Sequence, residues 1–172
     1  MNQNETFKLD LERLNWISKV SDEYLLSLDI NLQHIFTEEF DQTLLHQLTQ
    51  FKDSRPLRIL IKKFTNIDPK DKNGSTPLHI SCMIGNKEAT KILLQHSANV
   101  NAQDNLGDTP LMCLLRRNPL EKDLVKLVIE IGQPNMKIAN KCETPKRAID
   151  VARGTFRSRD IQDILPLLEP MN

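Results

Sequence analysis

Histidine and cysteine side chains are the most versatile chemical groups in this chain, because they ligate metals and serve as bases and nucleophiles. The histidines are His34, His46, His79 and His96, and the cysteines are Cys82, Cys113 and Cys142. The histidines do not stand at metal-ligand spacing with the cysteines, and no C-x-x-C pair occurs. The sequence therefore predicts no metal site and no cofactor.

Motifs of the common catalytic and nucleotide-binding sites are missing as well. The chain has no G-x-S-x-G nucleophile elbow, no Walker phosphate loop, no dinucleotide-binding glycine pattern and no H-E-x-x-H zinc motif. Because catalysis needs reactive groups placed together, the sequence predicts a protein that is not an enzyme.

One stretch, residues 71–104, has clear signals for the ends of two helices. Gly74 stands among turn residues and can adopt positive φ at no steric cost. Thr76 offers a hydroxyl at a helix N-cap, and Pro77 suits the first helical position. Gly85 ends this first helix, and a second apolar stripe follows. The stretch predicts a turn followed by two short helices.

The same pattern recurs along the chain. Thr43 begins T-L-L-H, Thr76 begins T-P-L-H and Thr109 begins T-P-L-M, each 33 residues after the last. About two extra residues precede the second helix of the third unit. Loops absorb such short insertions at little cost. Thr144 and Pro145, 35 residues after Thr109, are expected to open a fourth unit.

This turn followed by T-P-L-H resembles the ankyrin repeat. The resemblance implies an all-α solenoid of stacked helix–turn–helix units with β-turn tips. A degenerate helical capping unit is expected at 1–40, and repeats are expected at 41–70, 71–103, 104–139 and 140–170, the last with a C-terminal cap.

Residues 1–40 have a weaker pattern, with Leu11, Leu14, Trp16 and Ile17 close to helical spacing and a second short helix capped at Ser21. A disordered arm is the alternative. Residues 1–41 carry three Lys or Arg residues against nine Asp or Glu residues, while the whole chain has no net charge. An acidic block that packs against a basic body is one interpretation, and a solvated helical face is the other.

The resemblance also assigns structural roles to motif residues. His46 and His79 are expected to make hydrogen bonds across neighbouring turns, which Met112 is unable to make. The turn of the first unit has Asp41 in place of glycine, so a looser turn is expected there.

The cysteines are odd in number, which is typical of a reduced, intracellular chain. Cys82 and Cys113 are expected to be small buried hydrophobic residues. Cys142 replaces the turn glycine of the last unit, so an exposed position is expected, and a reactive thiol is the alternative to an inert one.

In ankyrin repeats the turn tips and the ends of first helices contact protein partners. By register these positions are Glu39, Phe40, Gln42, Gln50, Phe51, Lys72, Asn73, Ser75, Met83, Ile84, Asn105, Leu106, Asp108, Arg116, Arg117, Lys141 and Glu143. Apolar residues beside Arg116 and Arg117 are typical of binding hot spots, so a folded protein or an acidic, apolar peptide is expected as the partner. The alternative for Phe51 and Ile84 is partial coverage by neighbouring repeats.

The resemblance implies a non-catalytic protein–protein interaction module that acts as an inhibitor or an adaptor. One alternative is a constitutive inhibitor of a Rel-type transcription factor, as in viral or bacterial proteins directed at a host; the D-S-G phosphorylation motif of the cellular inhibitors is missing. Another is binding of nucleic acid or phosphoinositide by basic residues near the C-terminus. These residues are Lys146, Arg147, Arg153, Arg157 and Arg159.

Nucleic acid is the weaker interpretation, because Phe156 is the only aromatic residue among those cations. The first twenty residues lack a signal-peptide core, and no run of about 18 apolar residues suits a membrane span. The chain is therefore expected in the cytoplasm or nucleus, as a monomer or in a hetero-complex.

Overall fold

The structure is a computed structural model, and it describes residues 17, 19–27, 40–156 and 158–169. The predicted first helix around Leu11, Leu14 and Trp16 lies outside these residues. The described chain consists of helices, turns and one isolated backbone bridge between Ala139 and Arg147, and it contains no strand.

The helices are short, and most come in pairs. They are α1 (Asp22–Ser27), α2 (Leu44–Leu48), α3 (Arg55–Leu60), α4 (Pro77–Ile84), α5 (Lys87–Gln95), α6 (Pro110–Leu115), α7 (Lys122–Gly132), α8 (Ala148–Thr155), α9 (Ser158–Ile161) and α10 (Leu165–Leu168). A 3₁₀ turn, Ile61–Lys63, continues α3.

Successive units stack helix on like helix. The first helices form one layer, in which α2 packs on α4, α4 on α6 and α6 on α8. The second helices form the other layer, in which α3 packs on α5 and α5 on α7. Leucines fill the space between the layers; the fully buried ones include Leu45, Leu48, Leu57, Leu60, Leu78 and Leu93. The arrangement is the solenoid that the repeated pattern predicts.

Threonine is the N-cap of three helices in the layer of first helices, α2, α4 and α6. The Oγ1 of Thr109 accepts from the Met112 amide over 3.4 Å, and Thr76 and His79 form a reciprocal capping box. Gly85 ends α4 with a φ of +78°, a left-handed conformation in which a Cβ is strained. Asn86 then caps α5, since its side-chain oxygen accepts from the amide of Ala89.

Asp41 of the first turn adopts the positive φ that glycine adopts in the next two turns. Asp41 has a φ of +52°, compared with +74° at Gly74 and +78° at Gly107. Aspartate is among the residues that tolerate the left-handed region, so the loss of glycine alone does not loosen this turn. The residues of the turn before Phe40 lie outside the described ones, and the looser first turn stays a prediction.

The last turn is longer than the others. In the second unit, Asp71 N donates to Ser75 O, four residues on, and the carboxylate of Asp71 accepts from Ser75 N. In the last unit, Asn140 N donates to Lys146 O, and the side-chain oxygen of Asn140 accepts from Lys146 N. Asn140 therefore takes the place of Asp71, with two more residues inside the turn.

Thr144 and Pro145, which the spacing predicts to open a fourth unit in register with Thr109, lie within this longer turn and do not cap the first helix of that unit. Both residues are exposed in the turn, and α8 begins at Ala148 with Arg147 as its N-cap. Cys142 does not adopt the positive φ of the turn glycines, so the proposed equivalence with Gly107 is wrong as well.

The acidic N-terminal block contacts the basic body through α1, which packs on α3. Asp22 Oδ1 lies 2.7 Å from Arg55 Nη1, and the same guanidinium nitrogen donates to the carbonyl oxygen of Val20 over 3.0 Å. Ile17 and Leu25 are buried in the shared core. These contacts join α1 to the body; most acidic residues of the block lie outside the described residues, so the packing of the whole block stays a prediction.

Candidate partner-binding surface

Backbone hydrogen bonds join the tips of successive turns into one row. Each bond runs from an amide of one tip to a carbonyl oxygen of the tip before it, over 2.8 to 3.0 Å. The pairs, donor first, are Lys72 with Phe40, Asn105 with Asn73, and Lys141 with Leu106. We call these six residues the tip row. The turn tips thus form a continuous surface and not a set of separate loops.

Buried and half-buried aspartates hold the tips rigid from inside each turn. Asp71 Oδ1 accepts from the amides of Asn73 and Ser75, each over 2.9 Å. In the next turn, Asp104 Oδ1 accepts in the same way from the amides of Leu106 and Asp108, each over 2.9 Å. A carboxylate that accepts several backbone amides fixes the backbone on both sides of the tip.

Large apolar side chains project from this rigid scaffold. Leu106 is 66% exposed and Phe40 is 43% exposed, both in the tip row. Met83 and Ile84 are exposed to a similar degree at the C-terminal end of α4, on the layer of first helices. Exposed apolar side chains that lie together on one surface are typical of interaction sites.

Three of the predicted contact residues are buried. They are Gln42, Ser75 and Asp108, each directly before a threonine N-cap, and their side chains are buried within the turns. Gln42 donates to Asp71 Oδ2 over 3.3 Å and accepts from Gln50 Nε2 over 3.1 Å. These side chains position the surface and are not part of its exposed area.

The predicted arginine pair is engaged within the chain. Arg116 forms a forked ion pair with the buried carboxylate of Asp108, with Nη2 2.8 Å from Oδ2. Arg117 donates to the carbonyl oxygen of Met83 over 2.6 Å and pairs with Glu121 over 2.9 Å. Arg117 therefore caps the last turn of α4 from the next unit.

The remaining predicted positions divide by exposure. Phe51 is half-buried and packs against the core, as the alternative interpretation states, whereas Ile84 stays exposed. Lys141 and Glu143 are exposed in the longer last turn. Glu39 lies outside the described residues.

Two buried histidines join neighbouring units, as predicted. In each ring Nδ1 accepts from the backbone amide of the N-cap threonine over 3.1 Å. Nε2 of His46 donates to Ser75 O, and Nε2 of His79 donates to Asp108 O, each over 3.0 Å. A carbonyl only accepts, so the ring is neutral with its hydrogen on Nε2. Burial lowers the pKa of both rings.

The third unit lacks this histidine and uses another polar contact. Met112 is buried at the equivalent position. Asn140 Nδ2 of the last unit donates to Asp108 Oδ1 over 2.8 Å. This amide contact, which the sequence did not suggest, joins the third and last units.

The cysteines divide as the sequence predicts. Burial raises the pKa of Cys82 to about 12 and also raises the pKa of Cys113, so both thiols stay protonated and unreactive. Cys142 is exposed. No group of histidine, cysteine, aspartate and glutamate side chains within the described residues is arranged to hold a metal ion.

Basic side chains near the C-terminus are partly neutralised. Arg147 lies 3.2 Å from Asp150, and Arg153 lies 3.9 Å from Glu169. The side chains of Arg157 and Arg159 lie outside the described residues. These pairs reduce the positive field on which nucleic-acid binding depends.

Comparison with protein families decides the classification. A family model of ankyrin repeats, in three copies, matches residues 45–138, which is more than half of the chain. The chain belongs to the ankyrin-repeat family. Ankyrin repeats are generally protein–protein interaction modules and are typically non-catalytic. A search of curated protein sequences returned no match.

The ankyrin match runs from α2 through α7 and stops before the longer last turn. The predicted all-α ankyrin solenoid is thereby confirmed. No described helix is long and apolar enough to cross a lipid bilayer; the longest, α7, has 11 residues.

Proposed function

We propose that this ankyrin solenoid holds a protein partner on the tip row and on the neighbouring end of α4. One observation carries the proposal: Phe40 and Leu106 expose large apolar side chains on tips whose backbones are bonded to each other. Covering such side chains removes apolar area from water, which is the main favourable term in protein association.

The rigidity of the tips supports the same proposal. Leu106 follows Asn105, whose amide bonds to Asn73, and its own carbonyl oxygen accepts from Lys141. A side chain on a fixed backbone loses little conformational freedom when a partner binds. The tip row is therefore pre-organised for binding.

The end of α4 adds a second apolar contact on the layer of first helices. Arg117 holds the carbonyl oxygen of Met83, so the exposed side chains of Met83 and Ile84 are anchored as well. A partner that contacts both areas lies along the tips and the first helices. The outer layer of second helices stays free in this arrangement.

This arrangement suits two roles. An inhibitor covers a functional surface of its partner, whereas an adaptor holds a second protein at another face. Size-exclusion chromatography of the purified complex with candidate third proteins distinguishes them, since only an adaptor forms a ternary complex.

The test compares capture from a cell lysate by the native chain and by a Phe40→Ser/Leu106→Ser variant. The matched control is Ile131→Ser/Leu167→Ser, which removes two exposed apolar side chains from α7 and α10. All four positions are exposed, so circular dichroism is expected to show native folding in both variants. Mass spectrometry identifies the proteins that each form retains.

We expect a protein that the native chain and the control retain and that the tip-row variant loses. A partner retained equally by all three forms would place the binding site elsewhere. A partner lost only by the control would move the site to the outer helices.

A further inference from the structure

We infer that the partner segment on the tip row is acidic and apolar, with carboxylates that meet the ammonium groups of Lys72 and Lys141. The inference rests on the proposed function, because it names the chemistry of the partner at that surface. In this inference the electrostatic anchors are Lys72 and Lys141 and not Arg116 and Arg117.

Lys72 and Lys141 are exposed, and neither has an ion pair among the described residues. The other cations of the described chain that have a carboxylate partner are mostly arginines. These are Arg55, Arg58, Arg116, Arg117, Lys122, Arg147 and Arg153. Within the part of the chain that the structure describes, the two tip lysines therefore have no paired carboxylate, and they lie beside apolar groups.

Apolar and cationic side chains alternate along the row in a repeated pair. Phe40 is bonded through its backbone to Lys72, and Leu106 is bonded in the same way to Lys141. The bonded Asn73 and Asn105 lie between the two pairs. A segment with two apolar residues, each near a carboxylate, matches this order.

The described carboxylates near the row are either engaged inside the turns or lie beside the row and not in it. Asp71 and Asp104 accept backbone hydrogen bonds inside their turns, and Asp108 is buried against Arg116. Among the described residues, the exposed carboxylates close to the row in sequence are Asp41, directly after Phe40, and Glu143, two residues after Lys141. The two charged side chains of the row itself are both lysines, and their exposed ammonium groups can pair with carboxylates of an acidic segment at short range.

The test pans a library of short random peptides, displayed on phage, against the native full-length chain and a Lys72→Glu/Lys141→Glu variant. The charge-matched control is Lys62→Glu/Lys91→Glu, which reverses two exposed lysines of the outer layer. Selected peptides are then synthesised, and their affinities are measured by fluorescence anisotropy at low and high salt.

We expect the native chain and the control to select peptides rich in Asp or Glu together with Leu, Phe or Trp. These peptides are expected to bind the tip-lysine variant at least about tenfold more weakly, since each lost charge pair at a binding surface contributes modestly. Added salt is expected to weaken binding to the native chain and to have little effect on the residual binding to the variant.

Other outcomes separate the inference from the proposed function. Peptides that lose affinity for Phe40→Ser/Leu106→Ser but bind equally well to the tip-lysine variant would overturn the inference and leave the proposed function standing. Selected peptides without acidic enrichment would also overturn it. If no peptide depends on either pair, both the inference and the proposed surface are wrong.

Discussion

His79 of the second repeat donates from Nε2 to the carbonyl oxygen of Asp108 in the third repeat, over 3.0 Å. His46 makes the same bond to Ser75 one repeat earlier. Both bonds need a neutral ring, because Nδ1 must accept from the N-cap amide at the same time. Protonation of the two histidine rings is therefore expected to weaken the stacking of the repeats.

This coupling predicts a fall in stability at mildly acidic pH. Burial lowers the pKa of His46 and His79 in the folded chain from 6.5, so the unfolded chain binds protons more readily. Their stabilising contribution is complete above pH 6.5 and is lost as the pH falls below it. Urea unfolding followed by circular dichroism from pH 7.5 downward measures this effect.

A His46→Gln/His79→Gln variant is the control for that experiment. We expect it to be less stable at neutral pH and to show a flatter dependence on pH. A native free energy of unfolding that stays constant as the pH falls well below 6.5 would contradict the role given to the two rings.

Gly85 is expected to be intolerant of a side chain. Its φ is +78°, and an added Cβ would lie 2.7 Å from Arg117 Nη2. Gly85→Ala should therefore lower the free energy of unfolding by about 1–2 kcal/mol. Gly154→Ala is the matched control, because no atom lies within 4 Å of its Cβ position in α8, and it should be neutral or stabilising by up to about 1 kcal/mol. Equal effects in thermal or urea unfolding would contradict this account of the α4 end.

Asp108 is expected to be a structural centre of the third repeat. Its carboxylate pairs with Arg116 and accepts from Asn140, which joins the third and last repeats. Asp108→Ala should cost about 2–3 kcal/mol, because it removes a charge-assisted pair and leaves Asn140 without its acceptor. Glu130→Ala, at an exposed position on α7, should change stability by no more than about 0.5 kcal/mol. Urea unfolding of both variants provides the comparison.

The thiols are expected to react in two classes. Cys142 is exposed, whereas Cys82 and Cys113 are buried with raised pKa values. A thiol reagent should modify Cys142 alone in the native chain and all of the cysteines after denaturation. Peptide mapping by mass spectrometry shows which residues react, and rapid native modification of Cys82 would contradict the buried first-helix position.

The sequence predicts those parts of the fold that local chemistry decides. Thr76, Pro77 and Gly85 each have a preference that holds in any context, so the ends of α4 were predictable. The Thr-Pro signal for a helix start was misleading at Thr144, because the same two residue types also occur inside the longer last turn. Asn140 was the available signal, since its amide side chain resembles the aspartate that holds the earlier turns.

The surface was harder to predict than the fold. Register places Asp108 and Arg116 on the binding face, but it does not show that their side chains pair with each other. Arg117 binds the carbonyl oxygen of Met83, which stands 34 residues earlier in the sequence. Contacts across such separations depend on how the repeats stack, and spacing along the chain does not give them.

The most direct test of the central claim places a photo-cross-linking amino acid at position 106, in the tip row, and compares it with the same amino acid at position 131, on the outer layer. Both side chains are exposed apolar groups, so neither replacement is expected to disturb the fold. We expect a cross-linked partner from position 106 that position 131 does not yield. A partner cross-linked from position 131 and not from position 106 would contradict this expectation.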